Sequence, residues 1–297
     1  MSSVQLVEVG PRDGLQNESV LFSTEEKIFL IESLALAGVD RIEVASFAHP
    51  KRVPQMADAE AVISGLSEFS RDRGIALVLN ERGMERAIAS GIPEVHFVVV
   101  ASDTFAQKNQ GMSTQGLIDT WHRIASMARH AGIRASVGVS AAFGCPFEGE
   151  VPISRVIEII EDVIQSSPVE LGIADTIGSG VPRQVETLFR LAKDRIGDIP
   201  LRGHFHNTRN SGIANAYVAA NEGCDVLDSS IGGIGGCPFA PNATGNISTE
   251  DVAWMLSRSG FKVNVNLERL FEATEWLTAK LDRPSESLVF RAGLFPG

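Results

Sequence analysis

The chain has 297 residues, 44% of them hydrophobic and 21% charged, proportions that belong to a packed globular protein and exclude a disordered one. Its 37 acidic against 26 basic residues give a formal charge of -11, which disfavours nucleic acid or an anionic membrane as partner but allows a small anion neutralised inside one cleft. Three widely spaced cysteines, no apolar run long enough to cross a bilayer and no secretory pattern at the start lead us to expect reduced thiols in the cytoplasm.

Short β-branched runs alternate with longer amphipathic ones along the whole chain. The first strand is expected at 4–9 and runs into Gly10-Pro11-Arg12-Asp13-Gly14-Leu15-Gln16-Asn17-Glu18. A helix over 24–37 follows, with Ile28, Ile31, Leu34 and Leu36 in its apolar stripe and Gly38 as its stop. The second strand, 41–47, carries Glu43 and Ser46. Strands at 75–80, 95–101, 134–140, 170–174, 201–206 and 226–231 then alternate with helices at 55–69, 84–90, 114–131, 153–166, 183–196, 213–222 and 249–257. Glycine stops recur at Gly91, Gly132, Gly197, Gly223 and Gly260. Eight strand–helix pairs with strands apolar on both faces predict a closed parallel (β/α)8 TIM barrel, and residues 267–281 predict one additional C-terminal helix on its outside. No linker-like stretch interrupts the pattern, so residues 1–297 are expected to form a single catalytic domain.

In such a barrel, chemistry sits where strands run out into the loops that precede the helices. Polar residues gather there: Arg12 and Asp13 after strand 1, Glu43 and Ser46 on strand 2, Asp175 after strand 6, His204 and His206 on strand 7, and the glycine-rich segment 232–246 after strand 8. Residues two apart in a strand share a face, so His204 and His206 point to the barrel axis together while Phe205 faces the helices. Two imidazoles so placed can share an ion, with Asp13 completing a mixed nitrogen and oxygen site and Asn246 adding a carbonyl oxygen. A histidine pair hydrogen-bonded in the core is the competing reading, and position on the loop face is what favours ligands. A set without thiolate points to a hard or borderline divalent ion such as Mg²⁺ or Mn²⁺, with zinc still open. His49, His96, His122 and His130 lack such company and are read as structural or surface residues. Cys237, among Gly232, Gly233, Gly235 and Gly236 and before Pro238, suggests a loop that folds over a ligand, whereas Cys224 reads as a buried inert thiol.

The segments "VEVGPRDGLQNE", "IEVASF" with "PKRVPQMAD", "FGCPFEG", "DTIG", "GHFHNT" and "GGIGGCPFAPNATGN" with "TEDVAWML" resemble, in collinear order from about residue 7 to 270, the hydroxymethylglutaryl-CoA lyase family of metal-dependent TIM-barrel lyases. The resemblance implies a carbon–carbon lyase that splits a 3-hydroxyacyl-CoA thioester, hydroxymethylglutaryl-CoA, into acetyl-CoA and acetoacetate with Mg²⁺ or Mn²⁺, a step of leucine degradation. It also implies a homo-oligomer, a dimer in this family. It implies Asp13, His204, His206 and Asn246 as metal ligands and Arg12 beside the thioester enolate oxygen. Glu43, Gln16 and Ser46 would support metal and substrate, Asp175 would lie near the cleft, and Cys237 would transfer a proton.

The chain departs from the family's usual pattern at several places. Asn207 stands where Asp is common, Asn210 where glycine is, residues 79–83 where "PNLKG" is, and Ile234 and Phe239 where Leu and Tyr are. These changes bear on the acyl substituent and on how the CoA end is held. They keep open a lyase for a related hydroxyacyl-CoA, such as citramalyl-CoA or a longer-branched hydroxyglutaryl-CoA. An acyl-CoA/2-oxo acid condensing enzyme and a barrel that binds metal or CoA without catalysis complete the alternatives; the first of these usually has extra C-terminal domains, and the second would not need Arg12 and Cys237 together.

Overall fold

The computed structural model describes residues 2–236 and 245–295. Eight parallel strands close a barrel: β1 (Gln5–Glu8), β2 (Arg41–Ser46), β3 (Gly74–Leu77), β4 (Glu94–Val100), β5 (Arg134–Ser140), β6 (Leu171–Asp175), β7 (Leu201–Phe205) and β8 (Val226–Ser229). Each pairs with its sequence neighbours, and β1 pairs with β8 through Gln5↔Val226 to Glu8↔Ser229, which closes the ring. The predicted fold class and strand order are therefore those observed.

Helices cover the outside and bury the outward faces of the strands. Trp121, on Thr114–Ala131, is fully buried against Phe97 of β4, ring centroids 6.3 Å apart, and its indole N–H donates to the Val163 carbonyl at 2.8 Å. Phe205 packs on Phe189 of the helix Pro182–Ile196, as the alternation of β7 predicts. All six predicted glycine stops have positive φ, from 61° at Gly197 to 89° at Gly38, the region open to a residue without Cβ. The C-terminal helix Leu267–Leu281 lies on Thr24–Leu36, where Trp276 meets Phe29 at 4.9 Å and Phe22 at 6.1 Å.

Some elements differ from expectation. The single helix predicted over 55–69 is three pieces, a 3-10 turn Pro54–Met56 and the helices Ala59–Gly65 and Glu68–Arg71. The break has a local cause: the Ser67 hydroxyl caps Ser70 N–H, while Glu32 accepts from the Ser67 N–H and hydroxyl, so side chains hold groups a continuing helix would use. The short helix Asp103–Gln110 escaped prediction because only Phe105 and Ala106 of it are buried, too few for a stripe. No described helix is long and apolar enough to cross a membrane.

The inside of the barrel is where the sequence is unusual. Val7, Val9, Ile75 and Val226 form a small apolar cluster, but much of the remaining interior is ion pairs. Arg41 of β2 reaches across to Glu94 of β4 at 2.8 Å and to Glu170, the residue before β6, and Arg202 of β7 reaches Glu43 of β2 at 3.0 Å. Partners on non-adjacent strands place these side chains inside the ring.

Candidate active site

Beyond Glu8 the chain leaves β1 in a tight turn, Gly10–Gly14, in which the N–H groups of Arg12, Asp13 and Gly14 all converge on the Val9 carbonyl at 2.7–3.2 Å. Pro11 has no N–H to place, which suits the start of such a turn. Glycine is required at both ends, since a Cβ at Gly10 would lie 2.6 Å from Glu8 Oε1 and one at Gly14 2.7 Å from Ile234 Cγ1. This turn, rather than the strand itself, carries Arg12 and Asp13 inward.

There Arg12 is 8% exposed and each of its three nitrogens has a partner: Nε donates to Glu43 Oε2 at 2.7 Å, one terminal nitrogen to Asp13 Oδ1 at 2.6 Å, and the other pairs with Glu43. Asp13 Oδ2 accepts from Asn246 Nδ2 at 2.9 Å. On β7 and just beyond it, His204 and His206 bring their Nε2 atoms to 3.1 Å of one another. His204 Nδ1 lies 2.9 Å from Asp228 Oδ2, so that nitrogen carries the proton and Nε2 keeps a lone pair for a cation. Asp13, His204 and His206 offer ligand atoms all within 4.8 Å of one another.

Two buried atoms test whether these residues fit a divalent ion. Among the described residues, Asn246 Oδ1 and His206 Nδ1 have no hydrogen-bond partner. An orphaned amide oxygen beside a carboxylate and two facing imidazoles is unfavourable unless something accepts its lone pairs. A cation bound by oxygen and nitrogen ligands does so, and the residues fit one.

Charge reinforces the arrangement. Burial opposes ionisation of Asp13, but Arg12 and the two imidazoles outweigh it and hold the carboxyl below its ordinary range. Glu43 is likewise held ionised: burial opposes it, and Arg12 and Arg202 prevail. Burial also disfavours a charged His204, yet the hydrogen bond and charge of Asp228 raise its basicity, whereas burial and then His204 lower His206 to about 3. Two imidazoles this close carry one positive charge at most between them, and Asp228 favours His204 as its holder.

The sequence-predicted residues separate into groups. Arg12, Asp13, Gln16, Glu43, Ser46, His204 and His206 line one cavity of about 540 Å³ at the loop end of the barrel. Asn246 joins them through Asp13. Asp175 is not on the cavity wall; its oxygens accept from the Ser179 and Gly180 N–H groups at 2.8 and 2.9 Å and shape the loop after β6. Cys237 lies outside the described residues. Cys224 is buried with its thiol donating to the Val226 carbonyl at 3.0 Å, and burial pushes its pKa up. Asn210 has φ 58°, a left-handed conformation that asparagine tolerates, which accounts for its standing in a glycine's place.

Three side chains of the site went unrecognised in the sequence. Arg202 and Asp228 belong to its hydrogen-bond network, and His96, set aside as structural, lines the cavity. His96 is 7% exposed, its Nδ1 is 2.9 Å from Ser136 Oγ, and burial followed by the charge of Arg202 lowers its pKa to about 3, so it is neutral. For Arg202 the period-two spacing to His204 was the available signal.

A closed parallel barrel with a carboxylate, two imidazoles and an arginine gathered at its loop end defines the class of metal-using TIM-barrel enzymes. Comparison with known proteins narrows the class. The sequence matches the family described as HMGL-like over residues 3–277. It is 42% identical to the (R)-citramalyl-CoA lyase of Chloroflexus aurantiacus, across 99% of this chain and 96% of the relative. It is 40% identical to the hydroxymethylglutaryl-CoA lyase YngG of Bacillus subtilis, across 96% and 95%. Among solved structures, the Bacillus subtilis HMG-CoA lyase superposes with a TM-score of 0.94 at 39% identity, covering 98% of each chain. An HMG-CoA lyase from Acinetobacter baumannii, in complex with coenzyme A and 3-methylmalate, superposes with a TM-score of 0.93 at 33% identity, covering 99% of this chain and 97% of that one. The chain belongs to the HMGL-like family and is a lyase.

Proposed function

We propose that the protein cleaves hydroxymethylglutaryl-CoA to acetyl-CoA and acetoacetate with Mg²⁺ or Mn²⁺ held by Asp13, His204, His206 and Asn246. The observation that carries the reading is the unpartnered Asn246 Oδ1 beside Asp13, His204 and His206, at the cavity where Arg12 also lies. When bound, the dication supplies Lewis acidity toward the substrate's hydroxyl and carboxylate oxygens. The residues do the rest. Asp13, kept ionised by Arg12, accepts the hydroxyl proton. As the carbon–carbon bond breaks, its electron pair passes to the thioester and charge develops on the carbonyl oxygen. Arg12, already oriented by Glu43, offers a fixed cation to that oxygen at no cost of rearrangement. Protonation of the enolate carbon falls to Cys237, whose thiol is a suitable acid. Gln16 and Ser46, which line the cavity, would contact the acyl part. The same reading carries a cytoplasmic homodimer, which light scattering on purified protein checks.

Citramalyl-CoA is the second reading, favoured by the 42% identity to the Chloroflexus aurantiacus enzyme of that name. Purified protein with Mn²⁺ should release acetyl-CoA from one of a short panel of 3-hydroxyacyl thioesters, the partner keto acid being identified by mass spectrometry. Acetoacetate as the faster product supports the first reading, and pyruvate supports the second. No acetyl-CoA from any member would refute both.

A further inference from the structure

Two carboxylates orient the groups just described, and one buried guanidinium holds both carboxylates. Asp228 turns Oδ2 to His204 Nδ1 at 2.9 Å and Oδ1 to Arg202 Nε at 2.5 Å. Glu43 turns Oε2 to Arg12 Nε at 2.7 Å and Oε1 to a terminal nitrogen of Arg202 at 3.0 Å. Each carboxylate thus gives one oxygen to a functional residue and the other to the same arginine. Arg202 is 1% exposed, and its third nitrogen faces Glu170 Oε1 at 3.5 Å.

We propose that Arg202 is a positioning residue that sets the metal-ligand imidazole and the Arg12 guanidinium relative to each other. The inference rests on the reading of His204 as ligand and Arg12 as the enolate's partner. Stability alone is a poor reason for such a group, because a desolvated ion pair contributes little compared with apolar packing of the same volume. Geometry is a better one. A planar fork fixes the directions of two carboxylates at once, which a lysine, a single point of charge, does not do. The fork also ties three strands together, β2, β7 and β8, and the residue leading into β6, so displacement on one arm is felt by the other.

The test uses full-length protein, Mn²⁺ and hydroxymethylglutaryl-CoA, with Arg202→Met, Asp228→Asn and Glu43→Gln. Asp228→Asn should weaken Mn²⁺ binding about 10- to 100-fold, the usual range for a residue that orients a metal ligand, with kcat at saturating Mn²⁺ much less affected. Glu43→Gln should do the reverse, lowering kcat about 100-fold through misplacement of Arg12 with Mn²⁺ affinity nearly kept. Arg202→Met should lose on both readouts together, and saturating Mn²⁺ should not restore its kcat. A merely structural brace predicts a lower melting temperature with both readouts unmoved; both within twofold of wild type in folded protein would overturn the proposal. If Arg202→Met does not fold, Arg202→Lys takes its place and should lose at least one readout tenfold, and retention of both overturns the proposal equally. Mn²⁺ affinity is read without substrate, so a wild type that binds Mn²⁺ but does not cleave hydroxymethylglutaryl-CoA sinks the proposed function while the metal arm still decides this one.

Discussion

Glu8 offers a pH-dependent prediction whose size can be worked out. Its carboxyl is fully buried, with Oε1 accepting from the N–H groups of Gly10 at 2.7 Å and Ile231 at 2.9 Å and Oε2 bonded to the Thr249 hydroxyl at 2.6 Å. It therefore joins the Arg12–Asp13 turn to the segment after β8 and to the helix Thr249–Arg258. Burial raises its pKa from 4.5 to about 8, against the pull of those hydrogen bonds. A folded-state pKa above the unfolded one means stability that is full below pH 4.5 and lost as pH rises to 8. The loss is about 1.4 kcal/mol per pH unit, or roughly 4–5 kcal/mol across the window. Glu8→Gln removes the titration but keeps the bonds, its carbonyl accepting both N–H groups and its amide donating to Thr249. The variant should therefore gain on wild type as pH rises from 5 to 9, by a melting-temperature difference of roughly 7 °C for a chain of this size. Glu250, which burial pushes up to about 7, titrates in both proteins, and its charge adds to the rise at Glu8 that the variant removes. Thermal melts at several pH values measure it. A gap that stays constant from pH 5 to 9 would show that the three hydrogen bonds keep Glu8 ionised, and the reasoning about burial would be wrong.

Three further outcomes are expected. Arg12→Lys keeps the charge but not the fork shared by Glu43 and Asp13, and steady-state kinetics should give a kcat lower by about 100- to 1000-fold with Mn²⁺ affinity nearly unchanged. Gly138→Ala places a Cβ 2.9 Å from His96 Nε2 and should destabilise by about 1–3 kcal/mol in denaturant melts, with much of the loss recovered in the double variant with His96→Ala. Cys237→Ser should reduce turnover at least ~100-fold with metal content preserved, as expected for a group that moves a proton; equal loss of metal would assign that residue a different role.

The parts of this protein that repeat were legible from its sequence, and the parts that depend on closure were not. Strand alternation placed His204 and His206 on the axis and Phe205 among the helices, because a two-residue period is a local property. The glycine stops were readable for the same reason. Arg202, Glu43 and Asp228 meet only because β2 and β7 face each other across a closed ring, and nothing in the spacing of 43, 202 and 228 announces that. A carboxylate at a strand end looks alike in sequence whether it faces the cavity or, as Asp175 does, accepts from the N–H groups of its own loop. His96 was passed over since a lone histidine in a strand carries no signal; two glycines on neighbouring strands, Gly138 and Gly172, lie against its ring.

The account depends above all on a divalent cation at the site formed by Asp13, His204, His206 and Asn246. Crystals soaked in Mn²⁺ and measured near the manganese absorption edge should give a single strong anomalous peak within coordination distance of the four side chains, and none in His204→Ala. A wild-type map without a peak there, or a peak held by other residues, would contradict it.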